Sequence, residues 1–267
     1  MSEVRAAAAA GAFYAASPRA LRQTVDHLLA DASPPPLSVA PRMIVVPHAG
    51  HVFSGPVAAT AFAALAALDE HRWRSVLLLG PAHFLRFRGL ASPGCDAFAT
   101  PLGRLDIDAN LRTLAKAHAA ENPAAHEREH SLEVQLPFLQ RLWPHVNIMP
   151  ILTGDDDPPP SVHLLRDVAR HTETLIVVSS DLSHYLDQAS AQRSDAATAA
   201  AIVALRPDDL PPRSACGRTA VRAGLVVARE QGWRCQQLDL RTSGEILGGL
   251  DRVVGYGAFV MGPTASI

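Results

Sequence analysis

IVVPHAGHVFSG, residues 44–55, sets a short and wholly apolar run directly against two histidines among glycines. A run of that length, ended by Pro47 and built from β-branched residues, reads as a strand buried on both faces. Such strands belong to parallel sheets covered by helices on either side. In open α/β sheets the ligand crevice lies at the carboxyl ends of the strands, so His48 falls where such a sheet places its chemistry. The pattern recurs twice. VLLLG (76–80) runs into His83 in GPAH, and LIVVSS (175–180) runs into Asp181 and His184 in SSDLSH. A lone histidine is most simply a loop residue or a satisfied core imidazole. Three of them at three strand ends point to one crevice.

Working outward, the spacing of apolar residues predicts strands at 43–47, 76–80, 146–152, 175–179, 234–241 and 252–261. Ser17 and Pro18 open a helix that runs to about Leu29, with proline at the first helical position. Further helices are expected at 55–68, 108–119, 131–141, 162–171, 188–204 and 217–231, and an irregular or hairpin excursion at 86–107. The proline cluster at 32–41 separates the N-terminal helix from the first strand, and those at 155–160 and 207–212 read as surface loops, since consecutive prolines cannot supply ladder hydrogen bonds. None is long enough for an interdomain linker. The expectation is one α/β domain over 1–267, a layer sandwich with a largely parallel central sheet flanked by helices.

The chain has 267 residues, 48% of them hydrophobic, and a net charge of −2. A sizeable core is affordable, and no field that would draw a polyanion is present. Basic-aromatic interleaving, a P-loop, a dinucleotide fingerprint and a G-x-S-x-G elbow are all missing, which argues against nucleic acid, nucleotide and serine-hydrolase readings. The alanine-rich opening is weakly apolar, carries Glu3, and falls short of the roughly 18 apolar residues a bilayer span needs. A cytoplasmic protein without membrane contact is expected. Cys95, Cys216 and Cys235 are too few and scattered for a disulfide framework, so each is expected as a free thiol. Nothing in the sequence indicates an oligomeric state.

Neutral imidazole is the commonest biological metal ligand, and two or three such groups plus an anion make an open metal site. The anion has several candidates. Cys216 stands just before an alanine- and valine-rich helix, whose dipole favours thiolate. Asp181 and Glu133 are the carboxylate alternatives. In EREHSLEVQLPFLQRL, Glu129, His130 and Glu133 crowd a helix start. They are ordinary dipole complements there, or they orient a ligand histidine from behind. Asp181 precedes His184 by three residues, so a short turn could set both over the cavity, the carboxylate raising the imidazole's pKa.

Six motifs in this order, AGAFYAASPRAL, PHAGHVFSG, LLLGPAHF, EHSLEVQLPFLQ, VSSDLSHY and CGRTAV, resemble the Memo family, whose bacterial members are called AmmeMemoRadiSam system protein B. The likeness extends to VVGYGAFVM near the end of the chain. That family resembles in turn the LigB-like class III extradiol dioxygenases, which cleave catechol rings with non-haem Fe(II) held by two histidines and a glutamate. The resemblance implies a LigB-like fold and a redox role. His48 and His83 match the two ligand histidines, and Cys216 the third metal residue. His184 matches the acid/base histidine, with Asp181 beside it. Cysteine in place of glutamate argues against routine catechol cleavage. A soft thiolate suits Cu(I) or a tuned Fe(II), with Zn(II) a further occupant. The resemblance further implies a small-molecule or peptide ligand in the crevice, and radical-SAM and AMMECR-type proteins as partners. His51 departs from the family pattern, where an aromatic such as tyrosine is usual, and is expected to face solvent.

Overall fold

A computed structural model describes residues 3–68, 72–155 and 159–265. Four parallel strands form the middle of its main sheet, in the order Met43–Val46, Thr174–Ser179, Ser75–Pro81 and Asn147–Thr153. Their pairing puts Val46 beside Ser179 and Leu79 beside Val178, so their carboxyl ends lie level along one edge. Antiparallel pairing closes both flanks. Val253–Gly262 lies against Met43–Val46 and carries Arg234–Thr242 and the short strand His184–Leu186. Leu90–Ser92 flanks Asn147–Thr153 and continues, in parallel, to Ala119–Glu121. The result is an α/β fold with a mixed sheet, parallel at its centre. A small second sheet joins Val4–Arg5, Ala97–Thr100 and Gly103–Asp106.

Side chains alternate across a strand, and here the alternation divides the core in two. Ile44, Val46, Val76, Leu78, Leu175 and Val177 face one layer, with helices Pro18–Asp31, His51–Ala66 and Leu136–Leu142. Met43, Val45, Leu77, Leu79, Ile176 and Val178 face the other, with Pro159–Val168, Gln188–Val203 and Arg218–Glu230. With both faces covered, the central strands have no polar side, which is why they read as unbroken apolar runs.

Several boundaries differ from expectation, among them those of the helix expected over 162–171, which runs from Pro159 to Val168. The helix expected from residue 55 begins at His51, one turn earlier, and Pro56 sits inside it. The early turn is held by Ser54, whose N–H donates to Gly50 O and whose hydroxyl donates to Ala49 O. The helix expected over 131–141 is a 3-10 turn, Glu133–Gln135, followed by Leu136–Leu142. Pro137 is the reason, because proline lacks an N–H and its ring clashes with the carbonyl four residues back. The helix expected over 108–119 stops at Ala115, and residues 119–121 pair as an edge strand instead. Asp108 caps its start, accepting from the N–H groups of Asn110 and Leu111. Of the loop expected at 155–160, part lies outside the described residues, while Pro159 and Pro160 open the helix Pro159–Val168 instead, since the first turn of a helix needs no N–H from them. No described helix is long and apolar enough to cross a membrane.

Candidate metal centre

His48 leaves the sheet directly after Met43–Val46 and is almost wholly buried. Its proton position follows from its neighbours. Gln135 Nε2 donates to Pro47 O at 2.8 Å and to Ser179 Oγ at 3.0 Å, while the Ser179 hydroxyl donates to Ser131 O at 2.6 Å. The serine hydrogen being committed, its oxygen can only accept from His48 Nδ1, 3.0 Å away. His48 is therefore the Nδ1–H tautomer, and its Nε2 carries the free lone pair. Burial first, then the charges of His83 and His130, hold its pKa well below the ordinary histidine value, which keeps it neutral.

His83 follows Ser75–Pro81 and is treated the same way by a different partner. Glu129 accepts from His83 Nδ1 at 3.0 Å and from the His83 backbone N–H. It also accepts from the N–H groups of His130 and Ser131 at 2.9 and 2.8 Å. Burial alone would raise the Glu129 pKa, but the donors of His83 outweigh it and hold the carboxyl at about 2. A buried carboxylate thus orients the second imidazole and leaves Nε2 free.

Cys216 arrives from the far layer, just ahead of helix Arg218–Glu230. Its Sγ lies 3.1 Å from His48 Nε2 and accepts the Asp181 N–H at 3.3 Å. The ligand atoms of His48, His83 and Cys216 all fall within 4.8 Å of one another. One ion at metal–ligand distances of about 2.0–2.3 Å can meet all three. At Cys216 burial works against the helix dipole. Burial pushes the thiol well above its ordinary value, and the Asp181 carboxylate adds to the push. With His48 Nε2 a bare acceptor, the thiol hydrogen has its partner there.

Asp181 is buried, and its Oδ1 accepts from the N–H groups of His48 and Ala49 at 2.6 and 3.3 Å. Burial raises its pKa to about 6 against the pull of those donors and of His184. The side chain therefore pins the turn that carries His48. His184 donates from Nδ1 to Leu182 O at 2.8 Å, so its Nε2 is a free acceptor on the cavity. That cavity, about 540 Å³, is floored by His48, His83, His130 and Asp181 and walled by Phe13, Phe53, Tyr185, Arg252 and Tyr256.

His130 stacks on Phe13 at 4.0 Å and on His83 at 4.7 Å between ring centroids. Its Nδ1 comes within 3.3 Å of Glu129 but makes no hydrogen bond. It lines the cavity and meets His83 by stacking. His83, Glu129 and His130 also group closely enough to hold an ion. The carboxylate there is already filled by four N–H donors, which favours the cluster with Cys216. Glu133, expected either as an anionic ligand or behind one, uses its carboxylate on Arg5, Tyr14 and the N–H groups of Ala8 and Ala9.

His51 does not face solvent. It is 4% exposed, with Nε2 bonded to Val134 O at 2.9 Å and its ring against Tyr14 and Phe138. The early helix start turns it inward, and its orphan N–H donates to Phe13 O. Cys95 is buried, its Sγ donating to Ala97 O, and Cys235 is half-buried. Sequence reasoning missed Ser179, Gln135, Arg5 and Phe13. The one available signal was polar residues, Ser179 and Gln135, inside otherwise apolar runs, since a buried polar side chain needs a partner.

The family model described as "Memo-like protein" matches residues 5–260 of the chain. A MEMO1 family protein of Methanococcoides burtonii is 35% identical over 94% of this chain and 97% of its own length. MEMO1 family proteins of Caldivirga maquilingensis and Aquifex aeolicus are each 32% identical, over 94% and 95% of this chain and 96% and 97% of their own lengths.

Proposed function

Because the chain belongs to the Memo family, we propose that it is a metal-binding protein with a redox role. His48, His83 and Cys216 hold non-haem Fe(II), and Cu(I) is the alternative that the thiolate favours. The observation that carries this reading is the shared aim of two imidazoles. Each is locked on Nδ1 by a different buried partner, so both present Nε2 beside the Cys216 sulfur. The bound ion would supply one-electron chemistry at the floor of the cavity. The chain's own residues do the rest. Asp181 fixes the His48 turn, the aromatic walls offer a ligand apolar contact, and His184 Nε2 takes or gives a proton on a ligand in the cavity.

Anaerobic purification with metal quantification tests the reading. The native chain should carry close to one iron or copper per protein. His83→Ala should lose most of it while its circular dichroism spectrum stays native, because the ion sits outside the apolar core. His184→Gln should keep the metal and lower turnover by roughly 10²-fold, the share of one acid–base group. A His83→Ala protein that retains its metal would sink the assignment.

Two other readings differ in their outcomes. An extradiol ring-cleaving dioxygenase is favoured by a second imidazole, His184, over the same floor, and would oxidise catechols from a substrate panel. A binding module for a peptide or small ligand is favoured by the apolar walls, and would bind without metal.

A further inference from the structure

Residues 5–14 cross the surface of the segment that carries Glu129, His130, Ser131 and Gln135, and they grip it at both ends. The Arg5 guanidinium is the grip. Its Nε donates to His126 O at 2.7 Å, one Nη donates to Glu129 O at 2.6 Å, and the other pairs with Glu133. The Arg5 side chain is 8% exposed and lies 4.7 Å over the Phe98 ring. Ala8 N, Ala9 N and the Tyr14 hydroxyl complete the shell of the Glu133 carboxylate.

The gripped segment decides the aim of both imidazoles. The Glu129 side chain holds His83. Ser131 O takes the Ser179 hydrogen and so turns that hydroxyl's oxygen to His48, and Gln135 reinforces the same serine. Residues 129–135 act as one bracket for two ligands that come from different strands. The bracket has little regular structure of its own, being a turn and one 3-10 helix. Its stiffness must come from outside, and Arg5 is the buried cation that ties its Glu129 carbonyl to its Glu133 side chain.

We propose that Arg5 is a positioning residue for the metal centre: by clamping the carbonyls of His126 and Glu129 to the Glu133 carboxylate, it fixes the bracket that orients His48 and His83. This rests on the metal-binding reading above. Lysine cannot take the place of the fork, because one ammonium can pair with Glu133 yet cannot reach three acceptors in the guanidinium plane.

Co(II) added to the full-length protein is the probe, since sulfur-to-cobalt charge-transfer and d–d bands report both affinity and ligand geometry. Arg5→Lys keeps the charge beside Glu133. The double variant Arg5→Met with Glu133→Gln removes both charges, so no buried carboxylate is left without its cation. Both should bind Co(II) about 10- to 100-fold more weakly than the parent, the usual cost of losing support behind a ligand, with shifted d–d bands. Metal-free circular dichroism should stay native. Binding within twofold of the parent and unchanged bands in both variants would overturn the proposal, whatever happens to the melting temperature. Failure of both variants to fold would also overturn it, because Arg5 would then hold the fold and not the site. If the parent itself shows no sulfur-to-cobalt band, the metal reading falls first and this inference with it.

Discussion

Ser179 carries more of the site than its size suggests. One hydroxyl donates to Ser131 O, accepts from Gln135 and accepts from His48, and the residue is fully buried. Ser179→Ala leaves the His48 Nδ1–H without an acceptor, at a cost of about 1–3 kcal/mol. The imidazole is then free to rotate or change tautomer. Metal affinity should fall about 10- to 100-fold, measured by competition with a chromophoric chelator, and an unchanged affinity would show that the serine does not set the ring. Cys216 gives a second prediction at this scale. Its pKa is raised by burial while that of His48 is lowered, so near neutrality the thiol holds a proton and the imidazole does not. Each ion bound should release one proton, and affinity should rise about tenfold per pH unit across the neutral range. Calorimetry in buffers of different ionisation enthalpy counts that proton. A count near zero would mean that Cys216 is not a ligand.

Cys216 reaches the two histidines only because helix Arg218–Glu230 starts hard against the end of strand Thr174–Ser179. A Cβ on Gly217 would stand 2.7 Å from Ser179 O and 2.8 Å from Ser180 Cβ, so nothing larger than glycine fits. Its N–H donates to Ser180 Oγ at 2.9 Å, which ties the helix start to that strand end. Gly217→Ala should push the helix start outward and carry the sulfur with it. The expected result is a loss of metal together with a stability loss of about 1–3 kcal/mol from overpacking, read by metal analysis and urea unfolding. An alanine variant with full metal content would refute the close-approach argument. The central strands were legible in the sequence because burial on both faces leaves a run with no polar position. His48, His83 and His184 were legible because they interrupt such runs. Helix starts were less so, for Gly55-Pro56 looks like a beginning while the hydrogen bonds of Ser54 begin the helix at His51. Of the partners of the ligands, Glu129 was legible as a carboxylate set behind a ligand histidine, and it holds His83; Ser179, Ser131, Gln135 and Arg5 were not. Ser131 and Gln135 meet Ser179, and Arg5 meets Glu129, only through tertiary contacts that no spacing rule encodes.

At the scale of the whole molecule, the imidazoles that the fold buries set its response to acid. His126 and His130 are held at about 4, His48 well below its ordinary value and His51 below it, in every case chiefly by burial. Their unfolded value is near 6.5. Above pH 6.5 both states are neutral and these groups contribute no pH dependence. As pH falls from 6.5 toward 4, the unfolded chain takes up protons that the folded chain refuses, so stability declines. His126, with Nε2 bonded to Ala91 O and 2% of its surface exposed, accounts for about 3 kcal/mol of that decline, because every tenfold loss of proton affinity on folding is worth about 1.4 kcal/mol. Glu129 acts in a lower window. Its pKa of about 2 stabilises the fold above the ordinary carboxyl value of 4.5, and that contribution is lost as pH falls toward 2. The metal-free protein should therefore lose most of its resistance to urea between pH 6.5 and 4, above the window in which Glu129 titrates. His126→Gln should make the decline shallower by about one proton, as read from the slope of unfolding free energy against pH. A midpoint that stays flat from pH 7 to pH 5 and falls only below 4.5 would show that the carboxylates, and not the buried imidazoles, govern acid stability.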